Sequence, residues 1–172
     1  MTSVEIRGRA RTLPNAVNTD YIISSRRKRQ IQELHLLVDY IFEDLPEPLN
    51  EPIAPGDILV AGRDFGCGSA MEVAVDVLIA AGVQAIVAAS AARTFQRNAI
   101  NAGLPLVTVP DDVADEGDVL RILYAEEPFI ENVTRGDRVY AKPVPRFAVR
   151  LFRKGGLISH YRREGMPQKG ML

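Results

Sequence analysis

The run Gly62-Arg63-Asp64-Phe65-Gly66-Cys67-Gly68-Ser69 leads directly into an apolar segment that starts at Ala70. A strand passing through such a run into a helix presents backbone N–H groups that have no intrahelical acceptor. Those donors, together with the helix dipole, favour an anion. The glycines let backbone approach a ligand with no Cβ between them. The run lacks the Gly-Lys-Ser/Thr of a P-loop and the Gly-x-Gly-x-x-Gly of dinucleotide binders, which weakens the case for a nucleotide. Ser69 keeps two readings open. Ser69-Ala70-Met71-Glu72 has the spacing of a capping box, worth about 0.5–2 kcal/mol. A serine at a helix start also lies beside any anion bound there, so the two roles need not compete. Cys67 near the same helix start has the setting of an activated thiol. No histidine stands close to it in sequence, and it reads as a small loop filler.

The elements around this run are legible from their periodicity. Ile58 to Ala61 is a short apolar strand before the loop, and Ala70 to Ala81 is a helix stopped by Gly82. That helix is apolar nearly all round, with Glu72 and Asp76 as its polar stripe, so it should pack on more than one side. Ala85 to Ala89 reads as a strand covered on both faces. Ser90 is placed to cap a second helix, Ala91 to Ala102, ended by Gly103, and Leu106 to Val109 is a third strand. This alternation implies a parallel βαβαβ unit with right-handed crossovers. Upstream, Val4 to Thr12 suggests a first strand, Asn15 to Asp20 has turn chemistry, and Gln30 to Ile41 is an amphipathic stretch before a proline-punctuated connection. Downstream, Val119 to Tyr124, Phe129 to Val133 and Arg138 to Ala141 look like short antiparallel strands. Helices around Arg146 to Lys154 and Leu157 to Arg163 flank Gly155-Gly156. The class is α/β with an added β portion, expected as one domain over residues 1–172.

Composition narrows the function. The 172 residues are 47% apolar and 25% charged, which excludes a disordered or fibrous chain. One cysteine excludes an internal disulfide and any zinc or iron–sulfur cage made by this chain alone. His35 and His160 lie far apart without ligand spacing. No stretch is long and apolar enough to span a bilayer and no signal-peptide core is evident, so the expectation is a soluble cytoplasmic protein. The net charge of −1 hides an asymmetry: residues 135–172 hold ten basic and two acidic side chains, and an acidic run spans Asp111 to Glu131. Arg146, Arg150, Arg153 and Lys154 recur at helical spacing opposite Phe147, Ala148, Leu151 and Phe152. This reads as a solvated or partner-facing helix rather than a nucleic-acid face.

Three ordered motifs, Asn18-Thr19-Asp20, the run Gly62 to Ser69, and Ala92-Arg93-Thr94-Phe95-Gln96-Arg97-Asn98-Ala99-Ile100-Asn101-Ala102-Gly103-Leu104, resemble the small subunit of 3-isopropylmalate dehydratase. That family is the swivelling domain of the aconitase superfamily, and the likeness runs from about Arg7 to Arg163. The resemblance implies a β/β/α swivel domain that covers the active site of a larger chain carrying a [4Fe-4S] cluster. It implies reversible dehydration and rehydration of a hydroxy di- or tricarboxylic acid, with Ser69 as the catalytic base and Asp20 as a second catalytic residue that faces the site and orients groups there, although Asp20 also reads as a simple Asx turn. Arg29 matches a substrate-clamping arginine, with Arg27 and Lys28 beside it in the recognition loop, and Gly68 and Ala70 line the substrate at the helix start. Two residues depart from the family's usual Gly-Ser-Ser-Arg-Glu-His: the second serine is Ala70, and the carboxylate-binding arginine is Met71. Arg27 and Lys28 replace a usual Tyr-Leu pair. The departures leave a second expectation, a paralogous hydratase acting on a methylmalate, dimethylmalate or homoaconitate-like acid. A third, of a different class, is a stand-alone anion- or RNA-binding module. Arg93 and Arg97 are expected on a helix surface or interface.

Overall fold

A computed structural model describes residues 3–110 and 113–165. Asp111 and Asp112 of the acidic run, and the end of the basic segment from residue 166, lie outside the described residues. Seven strands form one mixed sheet in the order β4-β3-β2-β1-β5-β6-β7. The strands are β1 (Val4–Leu13), β2 (Ile58–Ala61), β3 (Ala85–Ala88), β4 (Leu106–Thr108), β5 (Val119–Tyr124), β6 (Phe129–Asn132) and β7 (Asp137–Tyr140). The helices are α1 (Thr19–Ile22), α2 (Ser25–Gln30), α3 (Leu34–Leu37), α4 (Glu72–Ala80), α5 (Arg93–Ala102), α6 (Arg146–Arg153) and α7 (Gly156–Glu164), with a 3-10 turn at Val38–Tyr40.

The parallel half is the expected βαβαβ unit. Every residue of β2 and of β3 is buried, as strands covered on both faces must be. β5 and β6 instead alternate buried and half-buried positions, and they pair antiparallel. β1 joins the two halves. Its residues Val4 to Arg9 pair antiparallel with β5, and Ala10 to Leu13 pair parallel with β2. Gly8 sits at this change of partner, where an added Cβ would collide with the Gly56 carbonyl. The sheet curls so far that the Lys142 N–H, just past β7, donates to the Thr108 carbonyl of β4 at 2.8 Å.

Two cores follow from the curl. Leu59, Ala61, Ile86 and Ala88 face one way, onto Ile22, Ile23, Val77, Leu78 and Phe95 of the helical layer. Ile58, Val60, Ala85 and Val87 face the other way, onto Leu120, Ile122, Ile130 and Val149. A buried guanidinium ties the β1 region to the proline-punctuated connection. Arg11, fully buried, donates to Glu116 (2.7 Å), Asp57 (2.9 Å) and the Pro52 carbonyl (2.7 Å), and also to the Glu51 carbonyl.

Three local expectations are corrected. Gln30 to Ile41 does not form one amphipathic element: Ile31 is extended (φ −123°, ψ 121°) and packs on the core, separating α2 from α3. The Ser69 capping box does not form. α4 begins at Glu72 behind an extended Met71 that has no side-chain cap, because the Ser69 segment is tied elsewhere. Ser90 does not cap α5, whose N-cap is Ala92 without a side-chain bond. The Ser90 hydroxyl accepts from the Asp64 N–H (2.8 Å) and donates to the Asp64 carboxylate (3.2 Å). Gly82 and Gly103 do take left-handed conformations after α4 and α5, at φ 82° and 79°.

Candidate functional site

The three sequence motifs leave the carboxyl ends of β1, β2 and β3, the edge at which parallel α/β sheets present ligands. Backbone bonds lace them together. The Gly66 N–H donates to the Val17 carbonyl (2.8 Å) and the Thr19 N–H to the Cys67 carbonyl (2.9 Å). The Thr19 hydroxyl donates to the Ser69 carbonyl at 3.0 Å. On the other side the Phe65 N–H donates to the Ser90 carbonyl (3.0 Å), and the Ala92 N–H to the Phe65 carbonyl (2.9 Å). Phe65 and Phe95 then meet edge to face with centroids 5.1 Å apart, which anchors the loop on α5. Gly66 has φ 70° and lies against the Phe95 ring with no space for a Cβ. Gly66→Ala is therefore expected to lower stability by about 2 kcal/mol or more, combining left-handed strain with overpacking. Denaturant unfolding measures it, and an unchanged midpoint would show that the loop yields there.

Within this frame Ser69 is exposed. Its carbonyl is held by Thr19 and by the Met71 N–H (2.9 Å), while its hydroxyl makes no hydrogen bond to any described residue. The following residues, Ala70 to Val73, form one wall of a cleft of about 440 Å³. Lys28, Ile31, Gln32 and Leu37 form the other wall. Lys28 and Met71 meet across it, the ammonium lying 3.3 Å from the thioether sulfur. Cationic Lys28 thus stands beside the position where the family's arginine is replaced.

The remaining sequence-derived residues have distinct placements. Asp20 is half-buried, and its Oδ1 accepts from the Ser25 N–H (3.1 Å) and hydroxyl (2.7 Å), which fixes the start of α2. Arg27 is bound bidentately to Glu43 (2.7 and 2.8 Å) and stacks 3.9 Å over the Tyr40 ring. Hydrogen bonding from Arg27 holds the Glu43 carboxyl below its ordinary value. The clamp is therefore complete above the usual carboxylate range and weakens as pH falls through that lowered value. Arg29 is exposed, makes no ion pair among the described residues, and does not line the cleft. Gly68 is exposed at φ 90°, beside Asn18 and Thr19. Lys28, Ala70 and Met71 are thus brought together, while Arg27 is turned to a structural partner. Sequence reasoning gave no role to Thr19, Tyr40 or Glu43, although Thr19 lies inside a quoted motif. Arg93 and Arg97 are exposed on α5, as expected.

Among the described residues no three His, Cys, Asp or Glu side chains gather as a metal site. The Cys67 thiol points to the Ala16 carbonyl at 3.7 Å. An iron–sulfur cluster, which takes three or four thiolates, does not fit the donors of this chain. Among the described residues no helix is long and apolar enough to cross a membrane.

Comparison with known proteins gives the class first: the Aconitase C-terminal domain matches residues 48–111, the span from the proline-punctuated connection through β4. Whole-chain likeness is more specific. The 3-isopropylmalate dehydratase small subunit 1 of Methanopyrus kandleri is 40% identical, over 93% of this chain and 94% of its own length. The methanogen homoaconitase small subunit of Methanothermobacter thermautotrophicus is 41% identical, over 91% and 90%. The crystal structure of a 3-isopropylmalate dehydratase from Methanocaldococcus jannaschii is 31% identical and superposes with a TM-score of 0.83, covering 94% of this chain and 95% of that one. The chain belongs to the family of 3-isopropylmalate dehydratase small subunits, within the aconitase superfamily of hydro-lyases.

Proposed function

We propose that this chain is the small subunit of a heteromeric, cytoplasmic hydro-lyase that isomerises 3-isopropylmalate by dehydration and rehydration. It works as a lid over a larger partner chain. The observation that carries this reading is the lacing of all three motif loops at one sheet edge, with Ser69 exposed there and its hydroxyl uncommitted. In this reading the [4Fe-4S] cluster resides on the large subunit and supplies Lewis-acid chemistry at the leaving hydroxyl.

The work of this chain is to hold and move a proton. Ser69 takes the proton from the carbon next to the one that loses hydroxide, and returns it on rehydration. A free serine hydroxyl is far too weak a base for that step. The uncapped first turn of α4 offers N–H donors and a positive dipole end to the serine oxygen when it is ionised. Gly68 and Ala70 keep the approach free of bulk, and Thr19 fixes the main chain beneath. Lys28, next to Met71, supplies a positive charge for a substrate carboxylate, and Arg29 supplies another from the exposed side of α2. Asp20 and Arg27 are positioning residues here: one holds Ser25 at the start of α2, beside the Ser24 cap, and the other anchors the helix to Glu43 and Tyr40.

The test is coexpression with the encoded large subunit, copurification, and assay of the complex against a panel of hydroxy diacids. A stable complex that turns over isopropylmalate faster than methylmalate, dimethylmalate or homoaconitate-type acids is expected. Absence of complex formation, or preference for another acid, would overturn the assignment.

A further inference from the structure

The outer side of the helical layer carries a groove lined by α4, α5 and α7, with Leu34 of α3 at one end. Its apolar residues are unusually open for a packed layer: Ile158 is 69% exposed, Ile79 40% and Leu34 37%. Charge is distributed unequally about it. On the α4 side Glu72 and Asp76 line the groove, and neither has a cationic partner among the described residues. Burial, and then the neighbouring Glu72, push the Asp76 carboxyl up, as expected of acids held close without a cation. The acidic character continues outward from α4. α3 packs on α4, and residues 30–62 hold no lysine or arginine; of their seven acidic side chains, Glu43, Asp44, Glu51 and Asp57 are paired to arginines, while Glu33, Asp39 and Glu47 have no ion pair among the described residues.

The α7 side is the reverse. Arg162 lies one helical turn beyond Ile158, and Arg162 and Arg163 are exposed. Neither is ion-paired to a described residue. Elsewhere the arginines are mostly spent internally: Arg9, Arg11, Arg26, Arg27, Arg121, Arg138 and Arg146 all reach carboxylates. An apolar centre with acid on one flank and base on the other is self-complementary under a two-fold rotation. Each flank then meets the opposite flank of the second copy.

We infer that this helical face binds a second copy of the same chain across a two-fold axis through the groove, seating Ile158 centrally and setting Arg162 of each copy against Asp76 of the other. The contact lies on the helical layer, whereas the Ser69 loop lies at the carboxyl ends of the strands. Of the lining residues Glu72 is shared with the cleft beside Ser69, but none of the residues seated in the contact is assigned to the chemistry, and a chain with no hydro-lyase activity would still dimerise.

Sedimentation equilibrium on the full chain at low ionic strength tests this directly. The wild type is expected at twice the monomer mass, shifting toward monomer as salt is raised. Ile158→Glu, Asp76→Arg and Arg162→Glu are each expected to weaken dimerisation about tenfold or more. All three sites are exposed, and circular dichroism reports whether the variants remain folded. The decisive arm mixes Asp76→Arg with Arg162→Glu: each variant alone sets like charges together at both contacts, whereas the mixed dimer has one native pair and one restored with reversed polarity, and should regain affinity that neither variant has alone. A wild type that stays monomeric would overturn the inference, as would a dimer indifferent to all three substitutions. So would loss of large-subunit copurification in Asp76→Arg with no change in self-association, which would assign the groove to that partner instead.

Discussion

Ser69→Ala in the assembled enzyme is expected to lower kcat by about 10²–10⁴-fold, the range typical of losing a positioned general base. KM should change little, because the hydroxyl is assigned to proton transfer rather than to holding carboxylates. Stability should also change little. The side chain is exposed and its hydroxyl makes no described hydrogen bond, whereas the bonds that shape the loop run through the Ser69 carbonyl to Thr19 and Met71. An exposed substitution of this kind is usually within about 0.5 kcal/mol of neutral. Steady-state kinetics with the large subunit, beside a thermal melt, separates the two quantities. Near-normal turnover would remove the serine from the chemistry. A large fall in melting temperature would reassign it to the scaffold.

The second large effect concerns folding. Arg11→Met is expected to destabilise the chain by about 3–5 kcal/mol, the usual cost of breaking a buried ion pair by removing one partner. The methionine fills much of the volume, but Asp57 keeps only Arg9 (3.4 Å) and the Ala54 N–H (2.9 Å), and the Pro52 and Glu51 carbonyls lose their donor. The pH dependence should change too. Burial by itself would raise the Glu116 carboxyl, but hydrogen bonds from the Thr12 N–H, Arg11 and the Thr12 hydroxyl hold it below its ordinary value. Its contribution is therefore present above the unfolded carboxylate value and lost as pH falls through the lowered folded one. Denaturant unfolding across that acid range should show a steeper loss for wild type than for Arg11→Met. Equal stability of the two proteins at neutral pH would show the network to be dispensable.

Arg11 also marks where sequence reading runs out. An arginine within a strand otherwise rich in polar residues gives no sign that it is the largest fully buried side chain. Its partners come from residues 51–57 and 116, and only the fold joins them. The strands of the βαβαβ unit were legible for a local reason: β2 and β3 are short continuous apolar runs, bounded by loop residues and followed by helices that end at glycine. β5 was legible as a short strand-like run between charged turns, and its alternation of burial is set only by the sheet. The double pairing of β1 was not, because one sequence pattern serves a parallel neighbour at one end and an antiparallel one at the other. Helix starts were misplaced at Ser69 and Ser90 because both residues have ideal capping chemistry. Asp64 takes the Ser90 hydroxyl, whereas Thr19 holds the Ser69 carbonyl and leaves the Ser69 hydroxyl without a described partner.

The site shows the same division. The three motifs and their order could be read from the chain, and so could the replacement of two family residues by Ala70 and Met71. That Arg27 is occupied by Glu43 and Tyr40, leaving Lys28 to face Met71, could not. Four consecutive basic residues at 26–29 look interchangeable until the helix sends Arg26 and Arg27 to Glu43, Lys28 to Met71 and Arg29 to solvent. Local spacing thus located the recognition segment, and only tertiary contacts sorted its members.

The proton itself provides the most direct measurement. With the large subunit present, hydration of the unsaturated acid in D2O can be followed by NMR for deuterium entering the carbon beside the one that gains hydroxyl. Wild type is expected to deliver deuterium there at the turnover rate, and the Ser69→Ala complex to bind the same acid yet deliver almost none. Deuterium appearing at the wild-type rate in the Ser69→Ala complex would mean that another group carries the proton.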